Sequence, residues 1–344
     1  FKARITHGLA DDVVVAEFGW WQSCEEMGQR ELPISGEGSS NLNTLVSSDD
    51  RDPVSGSVPH RAIRCGLVRE ARSTGKSERL ALTDWTSFRV VQKESLTKDI
   101  VRLTFASSEG ALLPDFEPGQ HIQVRIKTAN GQVLSRAYSL IGPGHDIGRR
   151  TYRIAVKKLV SRSESVGSPG AVSGYLHEDI EPGSNVELTA PGGRFLIPIK
   201  STRPVVMIAA GIGITPFMSV LNSIDASDEG SNFLLYKSYK TPADNPFRTQ
   251  INDLVKSRRN LEVFTYYTQG AGQAFDSRED AGDRVFGRRF AANCLPAALL
   301  DRRPVFYLCG PASMIQELGA DLQTRGVHGF DIFCELFSAN VAQG

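Results

Sequence analysis

Val205-Val206-Met207-Ile208-Ala209-Ala210-Gly211-Ile212-Gly213-Ile214-Thr215-Pro216 decides the reading of this chain. Its first six residues are an unbroken apolar run, as expected of a strand buried on both faces of a parallel sheet. A glycine-rich turn follows, then a helical pattern over 216–224. Glycines let backbone amides approach a pyrophosphate closely, and a helix start offers unpaired N–H groups and a positive dipole end. Pro216 suits the first helical turn, where its missing N–H costs nothing. Gly-x-Gly alone is a weak signal, because structural glycines after strands are common; the flanking strand and helix strengthen it.

Downstream, the same alternation continues. Strands are expected over 233–236, 261–265, 305–309 and 331–334, with helices over 246–257 and 312–325. Buried strands alternating with helices imply a doubly wound parallel sheet. The strand Val305–Cys309 runs into Gly310-Pro311, so Cys309 lies at a carboxyl end, where open parallel sheets bind ligands. Read alone, Cys309 is more simply an inert buried cysteine. Lys240 follows the 233–236 strand and either meets an adenosine 2′-phosphate or is simply solvated.

Upstream, the pattern has period two. Short alternating stretches at 88–92, 100–105, 121–126, 135–140, 152–157 and 185–189 are separated by Pro118-Gly119, Asn130-Gly131, Pro143-Gly144 and Pro182-Gly183. Six such strands predict an antiparallel β-barrel, with one helix over 172–178. The fold class is thus β plus α/β: a β-barrel over 84–198 and a nucleotide-binding domain over 199–344. A linker occupies 71–83 and a separate Gly-, Ser- and Asp-rich fragment 1–70. On the 135–140 strand, Arg136, Tyr138 and Leu140 share one face and Ala137 and Ser139 the other.

Composition narrows the class. Apolar content of 40% and charged content of 23% are those of a globular chain, and a formal net charge of +0 offers no broad field for nucleic acid or an anionic membrane. No apolar run approaches a membrane span. The five cysteines are scattered, with no spacing for an iron–sulfur cluster or metal site, and fit a reducing, cytoplasmic setting. The chain opens on Phe1 and reads as the interior of a longer protein.

Taken together, Gly-x-Gly-x-Thr-Pro, Cys-Gly-Pro and Arg136-Ala137-Tyr138-Ser139 resemble the ferredoxin–NADP reductase superfamily over about 85–337. The resemblance implies an NAD(P)H-dependent flavoprotein. Gly211, Gly213, Thr215 and Pro216 would cradle the pyrophosphate, and Cys309, Gly310 and Pro311 would flank the nicotinamide. Arg136 would pair with flavin phosphate, Tyr138 would pack on the isoalloxazine, and Ser139 would lie near flavin N5, with Ala137 between them. Gly170-Ala171-Val172-Ser173 resembles the family's second flavin motif, in which a helix start and Ser173 meet the pyrophosphate; Ser173 is also readable as a plain N-cap. Pro191-Gly192-Gly193-Arg194-Phe195 resembles the segment that closes the barrel. Glu335-Leu336-Phe337 resembles the family's terminal Glu-x-Phe, with Glu335 a catalytic candidate and Phe337 covering the flavin or nicotinamide.

The wording of these motifs is nearer the FAD-binding flavohaemoglobin and oxygenase-reductase branches, so FAD is expected rather than FMN, with NADH and NADPH both open. The long Ser-rich loop at 158–169 departs from the family pattern. Phe18-Gly19-Trp20-Trp21, Asn41-Leu42-Asn43 and Asp52-Pro53-Val54-Ser55-Gly56 resemble the end of a molybdopterin dinucleotide-binding domain of the dimethyl sulfoxide reductase superfamily. Molybdopterin would then bind only with an upstream domain. The expected acceptor is an iron–sulfur or molybdenum centre. The alternatives are an oxygenase or ferredoxin reductase serving a separate partner, and a non-redox scaffold.

Overall fold

The computed structural model describes residues 85–336, apart from 109, 128–130, 147, 160–169, 229, 270–277 and 281–282. The molybdopterin-like segments, most of the 158–169 loop and Phe337 lie outside the described residues.

The first half is an antiparallel barrel of β1 (Thr86–Thr97), β2 (Ile100–Ser107), β3 (His121–Lys127), β4 (Val133–Ser139), β5 (Thr151–Lys157) and β6 (Asn185–Leu188). Their order is β4-β3-β6-β1-β2-β5, and the Leu140–Ile154 bridge brings the two edges together. Alternation does the sorting. In β3, Ile122, Val124 and Ile126 point inward and are buried while their neighbours are not. Register shifts at Val90/Gln92 and Ser95/Thr97 bend β1, as closure of a small barrel needs.

Helix α1 (Ala171–Glu178) caps the barrel with Val172 and Leu176. Its N-cap is Gly170, at φ +104°, which corrects the reading of Ser173 as N-cap. Ser173 sits within the first turn, buried, with its hydroxyl donating to Gly170 O (3.1 Å) and accepting from Leu159 N (3.2 Å). A side chain at 170 would place Cβ 2.5 Å from Leu159 O, so glycine alone allows this entry into the helix.

The second half is a seven-stranded sheet of β7 (Val205–Ala210), β8 (Phe233–Tyr239), β9 (Leu261–Tyr267), β10 (Arg278–Asp280), β11 (Asp283–Phe286), β12 (Val305–Gly310) and β13 (Ile332–Leu336). The order is β10-β11-β9-β8-β7-β12-β13, parallel except for β10 at the edge. Helices α2 (Thr215–Ser223) and α3 (Arg248–Ser257) bury Phe217, Leu221 and Ile251 on one face. Helices α4 (Ala297–Leu300) and α5 (Ala312–Thr324) bury Leu299, Ile315 and Leu322 on the other. Each such side chain contributes about 1.5–3 kcal/mol of hydrophobic stabilisation.

The chain winds outward from β7 through β8, β9 and β11, then returns to β12. The switch point therefore lies between β7 and β12, where ligands of open α/β sheets bind. Helix α3 begins at Arg248 rather than Pro246, because the Pro242–Asp244 turn, boxed by Thr241 and Asp244, occupies the preceding residues. Strands β10 and β11 and helix α4 were not anticipated.

Candidate dinucleotide and flavin site

The site forms where three central strands end. After β7 the chain makes a 3-10 turn, Gly211–Ile214, and enters α2 with Pro216 in its first turn. Gly211 has φ +56°, and an added Cβ at Gly213 would lie 2.2 Å from Cys309 O. Gly213 is thus pressed on the backbone of β12, which joins the two dinucleotide motifs into one surface. Thr215 is buried, its hydroxyl donating to Ile212 O at 3.0 Å, and fastens the turn.

Cys309 is fully buried between Ala209 of β7 and Glu335 of β13, its parallel register partners. Burial pushes its thiol pKa well up, and the neighbouring Glu335 charge adds to this, so Cys309 is a neutral thiol at physiological pH. Glu335 is half-buried, its Oε2 has no hydrogen-bond partner, and burial lifts its pKa to about 7. Gly310 packs closely on Met314 and Ala210, and Pro311 caps α5.

The flavin-motif residues lie on β4. Tyr138 packs beside Leu134 on the barrel core, Arg136 is half-buried and Ala137 is exposed. Arg136 Nη1 donates to Ser135 O at 2.7 Å, and among the described residues no carboxylate pairs with it. Ser139 is buried, and its hydroxyl has no partner.

Two residues beyond Ser139, Ile141 enters a core shared with the sheet. Barrel residues Ile100, Ile141, Ala155, Phe195 and Ile197 pack there with Ile214, Phe217, Tyr307 and Cys309. Phe195 meets Tyr307 edge-on at 5.7 Å and Phe217 at 6.2 Å, and Tyr307 stacks on Phe333 at 5.1 Å. The β4 end and the Gly213–Cys309 surface are therefore brought to one interface.

Helix α2 supplies the polar part of that interface, which the motifs did not reveal. Ser219 Oγ accepts from Gly119 N (2.9 Å), Ser223 Oγ accepts from Gly144 N (2.7 Å), and Asn222 Nδ2 donates to Ile141 O (2.8 Å). Their spacing at i, i+3 and i+4 is the one available signal, and it could be read only as a helix face. The same helix thus starts at the pyrophosphate-type turn and clamps the barrel loops. Gly119, at φ +97°, fits because a Cβ there would lie 2.0 Å from Phe195 O.

A cleft of about 200 Å³ opens at the carboxyl ends of β7, β8 and β12, between Ala210, Ser238, Arg289 and Met314. Lys237, which also lines this cleft, is fully buried and forms an unexpected ion pair: it reaches Asp283 Oδ2 at 3.1 Å, and Thr265 Oγ1 donates to the same oxygen at 2.6 Å. Among the described residues, no helix is long and apolar enough to cross a membrane.

The site thus joins a barrel carrying an unpartnered Ser139 hydroxyl to a parallel sheet with a glycine-lined switch point. Residues 87–197 match the oxidoreductase FAD-binding domain and residues 207–319 the oxidoreductase NAD-binding domain. The chain thus contains an oxidoreductase FAD-binding domain followed by an oxidoreductase NAD-binding domain.

It is 29% identical over 258 residues to a flavohemoprotein of Oceanobacillus iheyensis, covering 74% of this chain and 60% of that protein. It is 30% identical over 257 residues to a flavohemoprotein of Bordetella pertussis, covering 74% and 61%. The chain thus spans about three-fifths of these relatives' length. Among solved structures it resembles the flavohem-like FAD/NAD-binding domain of a nitric oxide dioxygenase from Vibrio cholerae O1 biovar El Tor. The TM-score is 0.59 and the identity 27%, over 74% of this chain and 99% of that one.

Proposed function

We propose that this chain is a reductase module that draws electrons from NAD(P)H through FAD and delivers them to a metal-centred acceptor in a partner domain or protein. The observation that carries this reading is that Ile141, two residues beyond the unpartnered Ser139 hydroxyl, packs in one core with Ile214 and with Cys309, the strand partner of Glu335.

The residues fit a flavin. A buried hydroxyl without a partner is costly unless a bound group completes it, and Ser139 is such a hydroxyl. Arg136 spends one donor on a neighbouring carbonyl and keeps the rest of its fork for a phosphate. Arg136, Ala137, Tyr138 and Ser139 would hold the flavin from β4, with Gly170, Val172 and Ser173 shaping the start of α1. The Ser173 hydroxyl is already bonded within the protein, so backbone amides rather than that side chain would meet a phosphate there.

When bound, FAD supplies hydride acceptance and one-electron release, while the protein contributes position and electrostatics. Gly211, Gly213, Thr215 and Pro216 shape the dinucleotide's pyrophosphate seat. The neutral Cys309 thiol lies buried just before Gly310 and Pro311, so a nicotinamide ring reaching it would meet an uncharged group. The Glu335 carboxyl is protonated below about pH 7 and in that state has a proton to donate to a bound group. The packed Phe195–Tyr307 contact keeps water from the interface.

For the acceptor, an iron–sulfur or molybdenum centre remains our reading from the motifs. The family models begin at residue 87, so the molybdopterin likeness of residues 1–70 rests on its sequence motifs alone. A haem acceptor is a second reading, favoured by the flavohemoproteins among the relatives.

The test is an anaerobic titration of the FAD-loaded chain with NADH and NADPH, following loss of flavin absorbance. Stoichiometric bleaching is expected. Flavin that stays bound but is reduced by neither nucleotide would leave only a scaffold. Cys309→Ala should retain flavin and slow its reduction by about one to two orders of magnitude; an unchanged rate removes Cys309 from the reaction.

A further inference from the structure

The cleft beside the switch point bears on which nicotinamide nucleotide the chain uses. In dinucleotide folds the end of the second strand makes that choice. A carboxylate there accepts the adenosine ribose 2′-hydroxyl, whereas an arginine nearby accommodates a 2′-phosphate. Here β7 is the strand before the glycine turn and β8 the second; it ends Lys237-Ser238-Tyr239 and is followed by Lys240, with no carboxylate among them.

The first acid beyond is Asp244. Its Oδ2 is taken by Thr241 N (3.0 Å) and Thr241 Oγ1 (2.7 Å). Asp283, the nearby buried acid, is held by Lys237 and Thr265. None of the described residues bounding the cleft is acidic; its polar members include Ser238, Thr268, Arg289 and Ser313. A ribose diol entering it meets no carboxylate acceptor.

A phosphate meets a cation. Arg289 stands at the rim, and its Nη2 lies 2.6 Å from Glu317 Oε2, with both side chains more than half exposed. Exposed pairs of this kind hold weakly, so the guanidinium is available to a dianion that it can grip with two parallel bonds. Lys237 also lines the cleft, but its ammonium is engaged by Asp283. Lys240, which the sequence offered for this role, is exposed and does not bound the cleft.

We propose that this cleft takes an adenosine 2′-phosphate, making NADPH the favoured nucleotide, with Arg289 the specificity-determining cation and the Ser238 hydroxyl a second donor. The proposal rests on the dinucleotide reading above and sharpens it.

Titration calorimetry of the full chain with 2′,5′-ADP and with 5′-AMP tests it without involving the flavin reaction. The phosphorylated ligand should bind at least about tenfold tighter at low salt, and Arg289→Ala should abolish that advantage while Arg289→Lys keeps part of it. Equal affinities, tighter 5′-AMP, or an advantage that survives Arg289→Ala would each overturn the proposal while leaving the dinucleotide site in place. Binding of neither ligand would overturn the dinucleotide reading itself. Arg289 is exposed, so its replacement leaves no buried partner stranded, and circular dichroism confirms that the variants fold.

Discussion

Among the described carboxylates, Glu335 is the one whose titration burial moves upward. Its carboxyl titrates near 7 when folded, because burial disfavours the charged form, whereas in the unfolded chain it titrates near the usual value of about 4.3. Between those values the folded state binds more protons than the unfolded one. Glu335 therefore subtracts stability as pH rises through this window, and the whole loss is present above the folded pKa. Glu335→Gln should consequently gain in Tm relative to the parent at pH 8, with the advantage shrinking as pH falls and lost below the unfolded pKa of about 4.3. A Tm difference that does not change with pH would show that the carboxyl is not the titrating group. Residue identity alone gave Glu335 a role by resemblance; its unpartnered oxygen became visible only when β13 was laid beside β12.

Among the elements, β8 shows how a buried charge escapes a pattern. Periodicity ends the strand at Tyr236, because a lysine is a poor candidate for the middle of a parallel sheet. The strand continues to Tyr239, because Asp283 on β11 neutralises Lys237 from two strands away. The polar start of β11, Asp283-Arg284, hid that strand in turn. Each half of the pair looks like a loop residue until the other is placed. Lys237→Met alone strands a buried carboxylate and should cost about 3–5 kcal/mol, whereas adding Asp283→Leu should recover most of it. Urea unfolding of the single and double variants reads this directly; two equal, additive losses would mean that the residues do not act as a pair. The helices were easier, since their apolar spacing was local, and α2 differs from expectation by a single residue at each end.

At the scale of the whole described region, barrel and sheet share one hydrophobic cluster, joined at Phe195 and reinforced by the Ser219, Asn222 and Ser223 bonds. A shared core couples the opening of its two sides. Hydrogen exchange of β4, β5 and β12 should therefore show closely similar protection. Phe195→Ala, which costs about 3–5 kcal/mol at a well-packed site, should lower protection in both halves together. Loss confined to the barrel would refute the coupling.

The sequence by itself determined the two architectures. Period-two alternation with Gly-Pro turns and a fully apolar strand before Gly211 are local signals, set by which faces of a strand must avoid water. It also placed the motif residues on their elements, since the motifs are contiguous. Only the tertiary structure decided how those pieces meet. It pressed Gly213 against Cys309, turned the Ser173 hydroxyl inward, left Ser139 without a partner, hid Lys237 on Asp283, and put Arg289 rather than Lys240 at the cleft. Each of these depends on contacts between residues far apart in the chain, and the energy of a buried polar group is fixed by its neighbours in space, on which its neighbours in sequence are silent.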